Sequence, residues 1–260
     1  MPLRRAVPCR RAVPCRAALG RAVPRCRAGS PPGGPGRLAV PYGRAVTSRP
    51  AAGGGRWVEV DPARVGRWVE GFADRHGPPT TSTQEYGLLL AAPDGATAEL
   101  YAPPGAPAAA DVAGFVASAV TPRRIGLLLA RKGAVAIGVA EGADLVTSKV
   151  DTRYVQGRTA AGGWSQHRFA RRRDNQAKAA LGDAADLAVR LLLPAAATLT
   201  ALVCGGDRRA VDGVLVDRRL APLVPLRAER LLDVPEPRHA VLLAAVGAAR
   251  AVRIRLRDPD

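Results

Sequence analysis

The sequence predicts an α/β domain in which helices flank a mixed sheet. Apolar runs of strand length recur between residues 57 and 256, and segments of helical spacing are interleaved with them. Three of the strand runs are consecutive, whereas later runs alternate with helices, a pattern that mixes antiparallel and crossover connections.

The folded region is expected to begin near Trp57. Trp57-Val58-Glu59-Val60 reads as a short strand, and Asp61-Pro62 as an N-cap followed by proline at the first helical position. Val65, Trp68, Val69 and Phe72 recur at helical spacing, so 62–75 is an amphipathic helix, stopped by His76-Gly77-Pro78-Pro79. Strands at 86–92 and 97–101 flank a Pro93-Asp94-Gly95 turn. A short helix suits 111–119, and strands at 124–130, 133–140 and 143–150 form a meander. Residues 151–163 have no clean period and are rich in Gly and Arg, which reads as an exposed loop. Ser165 can cap a long helix over 166–193, with a bend expected near Gly182 and Pro194 just past its end. A buried strand at 199–204, helices at 207–215 and 238–249, and a strand at 251–256 close the chain.

The chain has 260 residues and a formal net charge of +17, an excess that favours polyanionic partners. Its distribution is more informative than its total. Residues 1–55 hold eleven arginines and no acid. The window 149–178 holds eight basic residues against Asp151 and Asp174, and the rest of the chain is balanced. The folded part therefore confines its net positive charge to one segment of 30 residues.

The tract 1–55 repeats Arg-Ala-Val-Pro at 5–8, 11–14 and 21–24 and then runs into Pro/Gly-rich sequence. Such a composition cannot bury a core, and a disordered basic tail is expected, followed by one domain over 56–260. A basic arm that adds RNA affinity is one reading of the tail. Short exact repeats favour another, in which an upstream nucleotide repeat is read through from a start codon assigned too early.

Cys9, Cys15 and Cys26 lie in the tail and Cys204 in an apolar run; no CxxC pair suggests zinc or redox chemistry. No Walker loop, HExxH helix or Ser-His-Asp order is present. No apolar stretch is long enough to span a membrane, and the N-terminus lacks a secretory h-region. A cytoplasmic protein without metal or organic cofactor is expected.

The chemistry-bearing segment is Gly157-Arg158-Thr159-Ala160-Ala161-Gly162-Gly163-Trp164-Ser165-Gln166-His167-Arg168-Phe169-Ala170-Arg171-Arg172-Arg173-Asp174-Asn175-Gln176. The pair Gly162-Gly163 allows close backbone approach and precedes a helix N-terminus, where free N–H groups favour phosphate. Arg168, Arg171, Arg172 and Asn175 follow at spacings of three and four, on one helical face. Arginine suits bidentate phosphate contact. A solvated helix face beside a loop is the bland reading. It is weakened by the confinement of charge, by the scarcity of acidic i,i+4 partners and by the position of the glycines.

The run Gly162 to Phe169, continued by Arg171-Arg172-Arg173-Asp174-Asn175-Gln176, resembles the signature of the actinobacterial VLRF (release-factor-like) peptidyl-tRNA hydrolase family, over about residues 56–258. The resemblance implies an RNase H-like fold, as in release-factor catalytic domains, with a protruding Gly-rich loop and a long basic helix. It implies a ribosome-associated hydrolase that frees nascent chains from stalled ribosomes or large subunits. Gln166 would orient water for attack on the peptidyl-tRNA ester. A neutral amide both donates and accepts hydrogen bonds, so it can position water without being a strong base. Gly162, Gly163, Trp164 and Ser165 would form the loop tip. Arg158, His167, Arg168, Arg171, Arg172, Arg173, Asn175 and Lys178 would contact RNA. The partners implied are large-subunit rRNA and peptidyl-tRNA, with no membrane, and a monomer is expected.

Release factors carry Gly-Gly-Gln contiguously, whereas Trp164 and Ser165 here separate Gly163 from Gln166. The resemblance therefore carries Gln166 more firmly than the glycine pair. It leaves a tRNA 3′-end endonuclease, or a non-catalytic rRNA- and tRNA-binding rescue factor, as alternatives. Two roles stand for Trp164, stacking on a base or packing the loop base. His167 could touch RNA or assist phosphodiester cleavage, though a passive role is favoured. His76 and His239 read as structural or exposed. Cys204 reads as a small buried hydrophobe. Gly205-Gly206-Asp207 is explained by a strand-to-helix turn better than by a phosphate loop.

Overall fold

The computed structural model describes residues 47–131, 133–152 and 165–259; the side chains of 47, 165–175 and 177 lie outside the described set. The strands divide between two sheets. The first contains β1 (Thr47–Pro50), β2 (Arg56–Val60), β3 (Thr80–Gln84), β4 (Gly87–Ala91), β5 (Thr97–Tyr101) and β11 (Val252–Arg257), in the order β1-β2-β11-β5-β4-β3. Every pairing in it is antiparallel. The second contains β6 (Arg124–Arg131), β7 (Ala134–Glu141), β8 (Asp144–Thr152), β9 (Ala201–Gly206) and β10 (Arg227–Leu232), in the order β10-β9-β6-β7-β8.

The second sheet is the mixed one. β6, β7 and β8 are the antiparallel meander, and β9 and β10 extend it in parallel from the other edge of β6. A three-stranded meander prolonged on its first strand by two parallel strands is the RNase H-like arrangement that the resemblance implies. Helix α3 (Ser165–Leu192) connects β8 to β9, α4 (Arg208–Leu215) lies between β9 and β10, and α5 (His239–Arg250) follows β10.

Alternation along β6 sorts its side chains into two cores. Leu128 and Ala130 pack with Val135, Ile137, Leu202 and Cys204 against α3 and α4. Ile125, Leu127 and Leu129 pack with Ala136, Ala201 and Val203 against Leu242, Ala245, Val246 and Ala249 of α5. The central strands are apolar on both faces because both faces are covered, which explains why 124–140 reads as nearly continuous hydrophobic sequence. Each fully buried leucine here contributes on the order of 2 kcal/mol.

The first sheet is covered on one face by α1 (Val65–His76) and α2 (Val112–Val120). Val65, Val69 and Phe72 of α1 and Phe115 and Ala119 of α2 meet Val58, Leu88, Leu90, Leu100 and Ile254. The Asp61 cap is as the sequence reads, its carboxylate accepting from the Ala63 N–H at 2.9 Å; Asp111, which the sequence reading did not single out, caps α2 by accepting from the Gly114 N–H at 2.7 Å. The first turn at Pro62–Arg64 is a 3-10 turn rather than part of the α-helix. His76 ends α1, with Nδ1 2.8 Å from a carboxylate oxygen of Asp94 and its ring against Phe72.

Two further features differ from expectation. The expected tail ran to residue 55, and within it Thr47–Pro50 pairs with β2; residues 1–46 lie outside the described residues. The long helix runs through Gly182 without interruption.

The Gly205-Gly206 pair serves the sheet. At Gly206, φ is +95°, and a Cβ would stand 2.3 Å from the carbonyl oxygen of Ala130. Replacing Gly206 by alanine should destabilise the fold by about 2 kcal/mol or more, read as a lower midpoint in urea unfolding. Cys204 is 1% exposed, and burial pushes its thiol up to about 11. Its peptide should stay unlabelled by iodoacetamide at about pH 8 in native protein and label after unfolding, as read by peptide mass spectrometry.

Candidate functional site

Helix α3 carries the motif, and its described half shows how it is held. Ala184, Ala185, Leu187, Ala188 and Leu192 are buried against β6, β7 and β9, with Leu181 partly buried at the edge of that core. Leu181 also packs on α4, where a Cβ at Gly213 would stand 3.0 Å from it. On the outer side, Asp186 accepts from Arg219 at 2.6 Å, and Arg219 also binds Asp217 at 2.7 Å. The Arg219 guanidinium and backbone N–H hold the Asp217 carboxyl down at about 2, but both carboxylates are solvated and their pairs add little stability.

The helical backbone begins at Ser165, so Gln166 is its second residue. Gln166 lies fifteen residues before Leu181, about 22 Å along the axis at the α-helical rise. Arg168, Arg171, Arg172 and Asn175 fall on one stripe of this backbone. At about 100° per residue that stripe lies roughly 150° around the helix from the stripe that meets the sheet. Its continuation in the described half, through Ala179, Gly182 and Asp186, is exposed. The cationic spacing and the apolar spacing therefore occupy different sides of one helix.

Lys178 is exposed. Arg158, Gly162, Gly163 and Trp164 lie outside the described residues. Ser165, His167 and Arg173 also sit on the first turns of α3, and the side chains of residues 165–175 are not described. The helix thus brings Ser165, Gln166, His167, Arg168, Arg171, Arg172, Arg173, Asn175 and Lys178 onto one rod.

A cavity of about 310 Å³ lies where α3 leaves the core, at the carboxyl ends of β6 and β9. Its wall is mostly apolar, including Ala130, Val135, Leu181 and Val214, with Arg131, Asp151, Asp207 and Arg209 among its polar lining. Two of these polar groups have structural work. Arg131 donates to the Val234 carbonyl at 2.7 Å, and Asp207 caps α4 by accepting from the Arg209 N–H at 2.9 Å. Among the described residues no group of His, Cys, Asp and Glu could hold a metal ion. Among them, too, no helix is long and apolar enough to cross a membrane.

The family model described as "Actinobacteria/chloroflexi VLRF1 release factor" matches residues 123–255, which takes in the whole mixed sheet, α3, α4, α5 and most of β11. The chain belongs to that release factor family. No curated protein matches it. Among solved structures it is similar to an archaeal translation termination factor, aRF1, at 22% identity and a TM-score of 0.36, over 48% of this chain and 34% of that one. A second, described as an archaeal protein, is 22% identical with a TM-score of 0.33, over 47% of this chain and 32% of that one. The chain thus spans about a third of the length of these structures.

Sequence reasoning missed one cluster. Trp57, Tyr86, Tyr101, Arg253 and Arg255 converge on one side of the first sheet, although residues 57 and 255 lie at opposite ends of the folded chain. The available signal was the strict alternation of Val252-Arg253-Ile254-Arg255-Leu256-Arg257.

Gly182 is exposed, is flanked by continuous helix, and a Cβ there would meet nothing within 4 Å. Gly182→Ala should stabilise the protein by about 0.5–1 kcal/mol, read as a higher Tm; a lower Tm would contradict an unstrained helix at this position.

Proposed function

We propose that this release-factor family member hydrolyses peptidyl-tRNA on stalled ribosomes or large subunits, with Gln166 as the residue that orients the attacking water. The observation that carries the reading is the position of Gln166 at the start of a helix whose other end is locked into the mixed sheet. A rod anchored at one end can hold a terminal group at fixed reach, and orientation of water is the contribution an amide can make. Positions 168, 171 and 172 fall on the stripe of the rod turned from the sheet, and arginine is the residue suited to gripping RNA phosphates from there.

On this reading the partners are large-subunit rRNA, as platform, and peptidyl-tRNA, as the substrate. Charge that develops on the ester carbonyl oxygen is met by N–H groups of the protein backbone or by RNA. The protein acts in the cytoplasm, as a monomer and without a cofactor.

The test is single-turnover release of labelled peptide from purified stalled large subunits. Gln166→Ala should slow release by about a hundredfold or more while sedimentation with the subunits is nearly unchanged. Release at the wild-type rate would refute the role of Gln166. An intact CCA end on the freed tRNA supports ester hydrolysis, and a shortened one would identify an endonuclease. Changing Arg168, Arg171 and Arg172 to alanine should weaken subunit binding and flatten its salt dependence by a slope of about 2 to 3.

A further inference from the structure

The first sheet is sided. Val58, Val60, Leu88, Leu90, Ala98, Leu100, Val252, Ile254 and Leu256 are buried under α1 and α2. Alternation sends Arg49, Trp57, Glu59, Thr97, Glu99, Tyr101, Arg253, Arg255 and Arg257 to the opposite face, where none of them is buried.

That face combines an aromatic row with cations. Tyr86 stacks on Tyr101 with centroids 4.5 Å apart and planes 20° apart. Trp57 meets Tyr101 edge-on at 5.1 Å, and the Arg253 guanidinium lies 4.0 Å over the Trp57 ring. The two acids of the face are already engaged. Glu59 pairs with Arg49 and with Arg230 of β10, and Glu99 lies near Arg255 and Arg257 and accepts from the Tyr101 hydroxyl. The Arg253 Nε is buried without a hydrogen-bond partner. Arg49 and Arg257 flank the row with 57% and 48% of their side chains exposed.

We infer that this face binds single-stranded RNA, with a base stacked on the Tyr86–Tyr101–Trp57 row and phosphates held by Arg49, Arg253 and Arg257. Two features select RNA over a protein partner. Four arginines face two engaged glutamates, which leaves an excess of positive charge complementary to a phosphate backbone. The rings are interleaved with cations, as stacking platforms for unpaired bases require, whereas the core of a protein interface is depleted of charge. The inference goes beyond the function proposed above, which uses residues 158–178 only.

The test uses the full chain and a fluorescein-labelled oligouridylate of about 12 residues, titrated by anisotropy over a series of KCl concentrations. Tyr86→Ala should weaken binding about tenfold, and Tyr86→Phe should bind as wild type. The double variant Arg49→Ala/Arg257→Ala should lower the slope of log K against log salt by about 1.4. Ultraviolet cross-links should map to Tyr86, Tyr101 or Trp57. Thermal unfolding checks that each variant folds; if Tyr86→Ala does not, the arginine pair and the cross-links decide. Unchanged affinity and slope, with cross-links confined to the N-terminal arginines and to 153–178, would overturn the inference. So would loss of binding to whole large subunits without loss of oligouridylate binding, which would mean that the face docks on protein. The assay involves no peptide release, so either reading can fail without the other.

Discussion

The arrangement depends on one packing contact, the seam between the C-terminal half of α3 and the mixed sheet. Ala184, Ala185 and Ala188 keep the helix close to the strands, and Leu181, Leu187 and Leu192 fill the space on either side. An α-helix is stiff over the 28 residues of α3, so fixing a few turns at one end fixes the direction of the whole rod. Isolated, the arginine-rich first turns would be marginal, because like charges three and four residues apart oppose helix formation. Their helicity is propagated from the anchored half. A cavity-forming substitution at Leu192 would therefore act on the far end without touching it.

The second constraint is topological. β11 emerges from α5, which packs on the mixed sheet, and then inserts between β2 and β5 in the middle of the other sheet. β11 thus completes the sheet that the early strands began, and that sheet lacks an interior strand without the segment that follows α5. Arg230 reinforces the junction by reaching from β10 to Glu59 on β2 while donating to the Ala248 carbonyl of α5. Burial pushes this guanidinium down and the charge of Glu59 opposes that shift, so the pair is kept by mutual need more than by surplus stability.

Most of the fold was legible because its elements are strongly periodic. The meander, the long helix, the cap at Asp61 and the closing strand are all local patterns. The strands that escaped notice are β1, β3 and β10, and all three are sheet edges. Thr80-Thr81-Ser82-Thr83-Gln84 buries no residue, so it has no apolar alternation to read. Arg227-Ala228-Glu229-Arg230 mixes charges that are explained only by partners on other elements, Asp212 and Glu59. The division into two sheets was equally hidden, because pairing of β11 with β2 joins residues nearly two hundred positions apart. At the candidate site the spacing of Arg168, Arg171, Arg172 and Asn175 identified a shared helical face. That this face turns away from the sheet follows only from where Ala184 and Leu192 pack.

The distribution of charge then separates gripping from chemistry. Binding a polyanion needs many cations, and their contribution weakens steeply with salt. A water held against an ester needs the opposite, an uncharged group that neither attracts counterions nor requires a shifted pKa to function. On the proposed reading α3 meets both demands along one axis: an amide at the tip, cations on the outward stripe, and alanine and leucine at the root. Moving the charge to the tip would place a strongly solvated group where water must be ordered by one neighbour. Moving it to the root would bury it unpaired against β6 and β7, a cost of several kcal/mol that this core has no partner to offset. The order along the helix is the one that electrostatics and packing jointly permit.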